Sequence, residues 1–408
     1  MWTDDLPSPR AHSTVAAMRA LLLFLILAAC SARTPPASPR EIHERLLVLD
    51  THLDTPVNFV RPAWDIAERH TMATDMTQVD LPRMVEGGLD GGFWVIFSPQ
   101  GPLTKAGYDK ARANAFNIQD RIIATVAIHA NAMAMATTPA DALRIAPTGK
   151  RIVFQSMENS YPLGEDLSVL AEFYRNGVRM AGPVHSEDNQ FADSATGKYT
   201  WGGLSPLGRK WVATMNRLGI LIDASHASDE AFDQILALSK APIILSHSGP
   251  KAAFNHPRNL DDARIRALAA KGGVIQVNSA FLAQINNSSE RARLDDMKSR
   301  FDAMTPEVQR KLAARYAALD AKAPLQDADF EMFMANLLHV LKLVGPDHVG
   351  IGADWDGGGG VKGMEDVAAL PKITERLLKA GYSEADIGKI WSGNAMRVLA
   401  AAEAGRIR

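Results

Sequence analysis

From about residue 42 onward, short apolar runs rich in Val and Ile alternate with longer helix-patterned stretches. Strands buried on both faces read as continuous apolar runs, so this alternation predicts repeated βα units around a parallel sheet. The candidate strands are 46–52 (LLVLDTH), 90–97 (DGGFWVIF), 152–158 (IVFQSME), 178–185 (VRMAGPVH), 219–226 (GILIDASH), 242–248 (PIILSHS), 273–278 (GVIQVN) and 348–354 (HVGIGAD). Eight strands with intervening helices predict a (β/α)8 barrel. The competing arrangement, a doubly wound open sheet, calls for a Gly-rich nucleotide loop after its first strand, and none is visible there. The stretch 285–325 is charged, Ala-rich and longer than a βα connection needs, which predicts a helical insertion after the seventh strand, serving as a lid or rim. The run Gly357–Gly360 reads as a flexible loop near the site rather than a phosphate cradle.

The ionisable residues fall at the C-terminal ends of these strands, the end at which βα barrels build their active sites. The first strand ends in His52 and Asp54, whose i, i+2 spacing points both side chains to one side of an extended segment. Glu158, His185, His226, His247 and Asp354 end the third, fourth, fifth, sixth and eighth strands. A lone strand-end histidine is more often capped or solvated than a ligand. Burying several carboxylates and imidazoles together, however, costs many kcal/mol unless they are paired or bind a cation. Oxygen and nitrogen ligands with several imidazoles suit zinc, with manganese or cobalt as substitutes, and two ions bridged by a carboxylate would use the groups fully.

Composition limits the alternatives. With 408 residues, 47% of them hydrophobic and 22% charged, the chain can bury a large core. A formal net charge of −2 gives no bulk case for nucleic acid or an anionic membrane surface. The single cysteine, Cys30, excludes a disulfide framework and a thiolate zinc site in the body of the chain. It ends the run ALLLFLILAA at 20–29 that follows Met18-Arg19, a stretch too short to span a bilayer but suited to a signal h-region with a lipoprotein box, Leu27-Ala28-Ala29-Cys30. The expected organisation is therefore a signal peptide over 1–30 (translation starting at Met1 or at Met18), a flexible spacer over 31–41, and one catalytic barrel over 42–405. Lipidated Cys30 would hold the chain to the periplasmic side of a bacterial membrane. A buried N-terminal helix with a chance cysteine is the alternative.

VLDTHLDTP at 48–56, IVFQSMENS at 152–160, VHSEDNQFADS at 184–194, GLSPLGRKWVATMNRLGILIDASHAS at 203–228, PIILSHSGPKAAFNHPRN at 242–259, HVGIGADWDG at 348–357 and IWSGNAMRVL at 390–399 together resemble the membrane (renal) dipeptidases, peptidase family M19. The resemblance implies a zinc-dependent dipeptidase in which a hydroxide bridging two zinc ions attacks the peptide bond. His52 and Asp54 would bind the first ion, Glu158 would bridge both, and His226 and His247 would complete the second. His185 would bind substrate and stabilise the tetrahedral intermediate, Arg258 of the HPRN segment would grip the substrate carboxylate, and Asp354 would handle the proton. It also implies a homodimer. Unlike the mammalian members, this chain lacks their cysteines, and MENS replaces a more glycine-rich loop at Glu158.

Several assignments stay open on sequence alone. Arg258 can instead pair with Asp261 or Asp262, Asn189 and Asp193 can brace His185 or merely form turns, and Tyr161, Trp355 and Asp356 can be packing at the mouth. His43, His70, His129, His256, His339 and His348 match no metal motif and read as surface or core residues. Another binuclear amidohydrolase, of lactonase or deaminase type, would carry His-x-His after the first strand, where this chain has Asp54. A non-catalytic binding lipoprotein would have lost a ligand or Asp354, and none is missing.

Overall fold

Strand pairing is parallel throughout a computed structural model that describes residues 37–62, 64–298 and 300–406. The strands are β1 (Leu49–Leu53), β2 (Gly91–Phe97), β3 (Met133–Met135), β4 (Arg151–Glu158), β5 (Val178–Ala181), β6 (Leu221–Ile222), β7 (Ile244–Ser248), β8 (Val274–Val277) and β9 (Val349–Ile351). They run in the order β1-β2-β4-β5-β6 and β7-β8-β9. Single parallel bridges, Asp223 to Ile244 and Leu53 to Trp355, join β6 to β7 and β9 to β1 and close the ring. The result is the expected eight-stranded barrel, with helices between the strands. β3, which the sequence did not suggest, is extra: it pairs with the first residues of β4, on the edge that β5 takes further up.

Side-chain alternation explains the layers. Leu49, Phe93, Ile152, Phe154, Met180, Leu221, Ile244 and Val274 point inward near the strand starts and pack with Val398, Leu399 and Ala402 of the last helix, Asn394–Ala404. This apolar plug fills the N-terminal mouth. Trp94, Ile96 and Val153 point outward into the main core, which includes Ile118, Ile122 and Val126 of the helix Lys105–Ile128. At roughly 25 cal/mol per Å² of apolar surface, these two layers hold the ring shut. The far mouth is left to polar side chains.

The expected insertion follows β8, the seventh barrel strand, as helices Ser289–Lys298 and Pro306–Lys322. Leu294, Phe301, Leu312, Tyr316 and Leu319 form their own small cluster with Met76. One compact unit covers Pro39–Arg408, and its first helix, Pro39–Arg45, begins inside the stretch 31–41 expected to be a spacer. The expected signal segment and Cys30 lie outside the described residues. Among those residues no helix is long and apolar enough to cross a membrane.

Candidate metal centre

Parity along β4 places the central carboxylate. Ile152 and Phe154 face the barrel interior, so Ser156 and Glu158 follow them upward on the same face, and Glu158 ends the stack at 7% exposure. The two histidine strands reach the mouth by a different device. Leu49 faces inward, and simple alternation would turn His52 outward. β1 carries one extra residue against β2, since Asp50 pairs with Gly92 but Leu53 with Trp94. This bulge flips the parity, sending Leu53 to the outer core and freeing His52 and Asp54 for the interior. β7 repeats the trick against β8, where Leu245 pairs with Ile275 but Ser248 with Val277, so the neighbours Ser246 and His247 both serve the mouth.

Seven predicted residues converge. Glu158 divides its oxygens: Oε2 lies 3.7 Å from His52 Nε2, and Oε1 lies 2.9 Å from His226 Nε2 and 3.4 Å from His247 Nε2. His52 Nε2 is also 3.3 Å from Asp54 Oδ2. Two of the three compact ligand groups among the described residues are His52 with Asp54 and Asp354, and Glu158 with His226 and His247. His185 stands at the rim with its side chain 28% exposed, its Nε2 3.9 Å from Glu158 Oε1 and its ring 4.3 Å from that of His226. His226 and Asp354 both adopt left-handed backbone, at φ 66° and 67°, an uncommon conformation for non-glycine residues that clusters at functional sites.

The electrostatics of this cluster fit a bound cation. His52 Nε2 is a buried ring nitrogen with no hydrogen-bond partner, and the Nε2 atoms of His226 and His247 face each other at 2.9 Å. Burial, reinforced by the charges of Arg258 and His185, holds His226 well below the usual histidine range, and burial beside His52 brings His247 down to about 3. Both imidazoles are thus neutral, as ligands must be. Burial pushes Glu158 upward, but His185, His52 and the His226 and His247 hydrogen bonds outweigh it and keep the carboxylate ionised. Burial and the Asp54 carboxylate push Asp354 well above the normal range. Crowded carboxylates around an unpartnered imidazole nitrogen are relieved by positive charge between them.

Arg258 is 4% exposed, and its guanidinium lies 5.5 Å from the centre of the Phe281 ring and donates to the His247 carbonyl at 3.3 Å. Among the described residues it has no carboxylate partner: Asp261 caps a helix and binds Arg264, and Asp262 faces His339. Burial lowers it to about 10, so it stays charged near neutral pH. Asn189 and Asp193 brace the loop after β5, Asn189 by donating to Asn159 Oδ1 and the Pro183 carbonyl, Asp193 by accepting from the Trp201 and Gly203 amides. Tyr161 is packing, with its hydroxyl on the Pro102 carbonyl. His43, His70 and His348 are likewise satisfied by local partners away from the cluster. A cleft of about 300 Å³ lined by Ala195, Tyr199, Asp229, Lys251, Asn255 and Pro257 lies beside these loops.

The tetraglycine run departs from expectation. It is tied down, with the Gly359 amide on the Asp354 carbonyl, the Gly360 amide on Ser279 Oγ and the Gly359 carbonyl on Gln78 Nε2. A β-carbon at Gly357 would overlap Asp54 Oδ2 and Asp354 Oδ1, so glycine serves close approach here rather than mobility. Sequence reasoning also missed Asp223, which groups with His52 and His247. Its position at the end of β6, three residues before His226, was the available signal.

A closed (β/α)8 barrel with two carboxylate and imidazole ligand groups sharing one glutamate at its C-terminal mouth defines a metal-dependent hydrolase of the amidohydrolase type. The model of the membrane dipeptidase family (peptidase family M19) matches residues 37–407. The chain belongs to that family and is a metallo-dipeptidase. It is 30% identical over 359 residues to dipeptidase tcpJ of Claviceps purpurea, covering 86% of this chain and 76% of that one. Among solved structures it resembles the probable dipeptidase PvdM of Pseudomonas aeruginosa, with 33% identity, a TM-score of 0.76 and coverage of 90% of this chain and 98% of that one. A Rhodobacter sphaeroides metallopeptidase liganded with a phosphinate mimic of the dipeptide L-Ala-D-Ala is 25% identical, with a TM-score of 0.69 and coverage of 88% and 99%.

Proposed function

We propose that the chain hydrolyses dipeptides with two zinc ions, one held by His52 and Asp54, the other by His226 and His247, and both by Glu158. The observation that carries this reading is the division of the Glu158 oxygens between His52 on one side and His226 with His247 on the other. Bound zinc would supply a water of lowered pKa, roughly 7 in well-studied sites, and would polarise the scissile carbonyl. Asp354 accepts the proton of the attacking water and passes it to the leaving amine, a task suited to a carboxyl whose pKa burial has raised. His185, at the rim, donates to the developing oxyanion, worth roughly 3 kcal/mol in comparable sites.

Arg258 then sets substrate length. A buried guanidinium without a carboxylate partner is matched to the free carboxylate of a dipeptide, and a longer peptide would place an uncharged amide there. The test compares a dipeptide with its C-terminal amide. The amide should lose roughly 100-fold in kcat/KM, and Arg258→Met should erase most of the difference. Equal hydrolysis of both by the unaltered enzyme would reject the role.

Export and anchoring belong to the same reading, supported by the apolar run that ends at Cys30. Mass spectrometry of the processed N-terminus should find a lipid on Cys30, and Cys30→Ser should release the enzyme from the membrane fraction. An unmodified N-terminus that retains residues 1–29 would contradict it. A homodimer, tested by light scattering, is the proposed assembly.

A further inference from the structure

Between the two ligand groups lies a hydroxyl that none of the assigned roles uses. Ser246 Oγ is 2.5 Å from Asp223 Oδ2, 2.9 Å from His247 Nδ1 and 3.3 Å from His52 Nδ1. Ser246 is fully buried, and Asp223, His52 and His247 are each at most 5% exposed. Asp223 Oδ1 accepts the Ser225 and Ser246 amides, both at 2.9 Å. Ser225 Oγ, 3.5 Å from Ser246 Oγ, accepts the His247 amide at 3.2 Å.

Counting donors fixes the hydrogens. Asp223 accepts two backbone amides through Oδ1, and its Oδ2, the nearest atom to Ser246 Oγ, accepts the single hydroxyl hydrogen of Ser246. Its two lone pairs remain, and each faces an imidazole Nδ1. Both rings therefore donate from Nδ1 to Ser246, and in the neutral form that metal ligation requires this turns the Nε2 lone pair of each toward Glu158. The space among Asp223, His52 and His247, which could suit a third ion by residue type, is occupied by this hydroxyl.

We propose that Ser246, oriented by Asp223, is a shared positioning group that sets the ring tautomers of His52 and His247 and so ties the first ion's ligands to the second's. The proposal rests on the reading of these histidines as metal ligands. His226 lies outside the unit, since its Nδ1 is buried without a partner. The β7 bulge is what makes the unit possible, because only there can the consecutive residues Ser246 and His247 share a face.

The test measures zinc affinity by competition with a graded chelator, together with exchange of the imidazole N–H protons in the Co2+-loaded protein. Ser246→Ala removes one oxygen and should weaken binding of both ions by roughly 10–100-fold, the usual effect of losing an outer-shell partner. Two slowly exchanging imidazole N–H signals should become fast. Asp223→Asn must turn its amide N–H₂ toward Ser246, forcing the hydroxyl hydrogen onto one imidazole, so one ion should be lost much more strongly than the other. The metal-free variants should melt within a few degrees of the metal-free parent. Unchanged affinity and exchange in a folded Ser246→Ala protein, or weakening confined to one ion, would overturn the proposal. A parent protein that binds no zinc would instead overturn the reading on which it rests.

Discussion

Oε1 of Glu158 lies 2.9 Å from His226 Nε2 while the other oxygen of the same carboxylate faces His52. One anionic side chain therefore serves both ligand groups, and a glutamine, neutral and with one oxygen replaced by a donor, cannot. Glu158→Gln should lose at least one ion per chain and more activity than the roughly 10–100-fold typical of an outer-shell change. Metal analysis beside a steady-state assay checks it, and full metal occupancy in the variant would count against the bridging role.

Asp354 has a different predicted signature. If it moves protons rather than holding metal, Asp354→Asn should keep both ions and lose roughly 10²- to 10⁴-fold in kcat. Loss of an ion in that variant would make it a ligand of the His52 and Asp54 group instead.

Gly357 should tolerate no side chain. Its missing β-carbon leaves room for the Asp54 and Asp354 carboxylates, so Gly357→Ala should displace both and cost roughly 1–3 kcal/mol of stability by overpacking, with a matching drop in zinc affinity. Thermal melting with and without zinc separates the two effects, and an alanine variant with parental affinity would refute the crowding.

Away from the site, Thr138 and Asp141 form a reciprocal cap on the helix Pro139–Ile145. Burial alone would raise Asp141, but the Thr137 amide, Arg144 and the Thr138 and Thr137 hydroxyls outweigh it and hold the carboxyl at about 2. The folded value lies below the unfolded one, about 3.9, so this contribution is complete above pH 4 and fades as pH falls through 2. Thr138→Ala should cost about 1 kcal/mol at pH 7 and less at pH 3, measured by urea unfolding, with activity per folded molecule unchanged. An equal cost at both pH values would contradict the coupling.

Much of this was legible in the sequence because strand ends and apolar runs follow simple periods. All eight barrel strands and the insertion were readable, and every predicted side chain from His52 to Asp354 lies at or beside the C-terminal mouth. β3 escaped because three residues, Met133 to Met135, carry no period. The bulges in β1 and β7 escaped because they are a property of pairing, not of either strand alone. Ser246 escaped for the same reason, since its value lies in contacts across β6, β7 and β1, while Asp223 offered only its place at a strand end, three residues before His226. The Gly357–Gly360 run looked mobile by composition and proved to be tied down by hydrogen bonds to its backbone, with Gly357 close against the Asp54 and Asp354 carboxylates.

The most direct test of the account is metal content measured together with catalysis. Purified soluble protein from residue 31 onward, assayed on L,L and L,D dipeptides with and without chelator, should carry about two zinc ions per chain and release free amino acids. Chelation should abolish release, and zinc should restore it. A folded protein that, resupplied with zinc, binds no metal and cleaves no dipeptide would contradict the central claim.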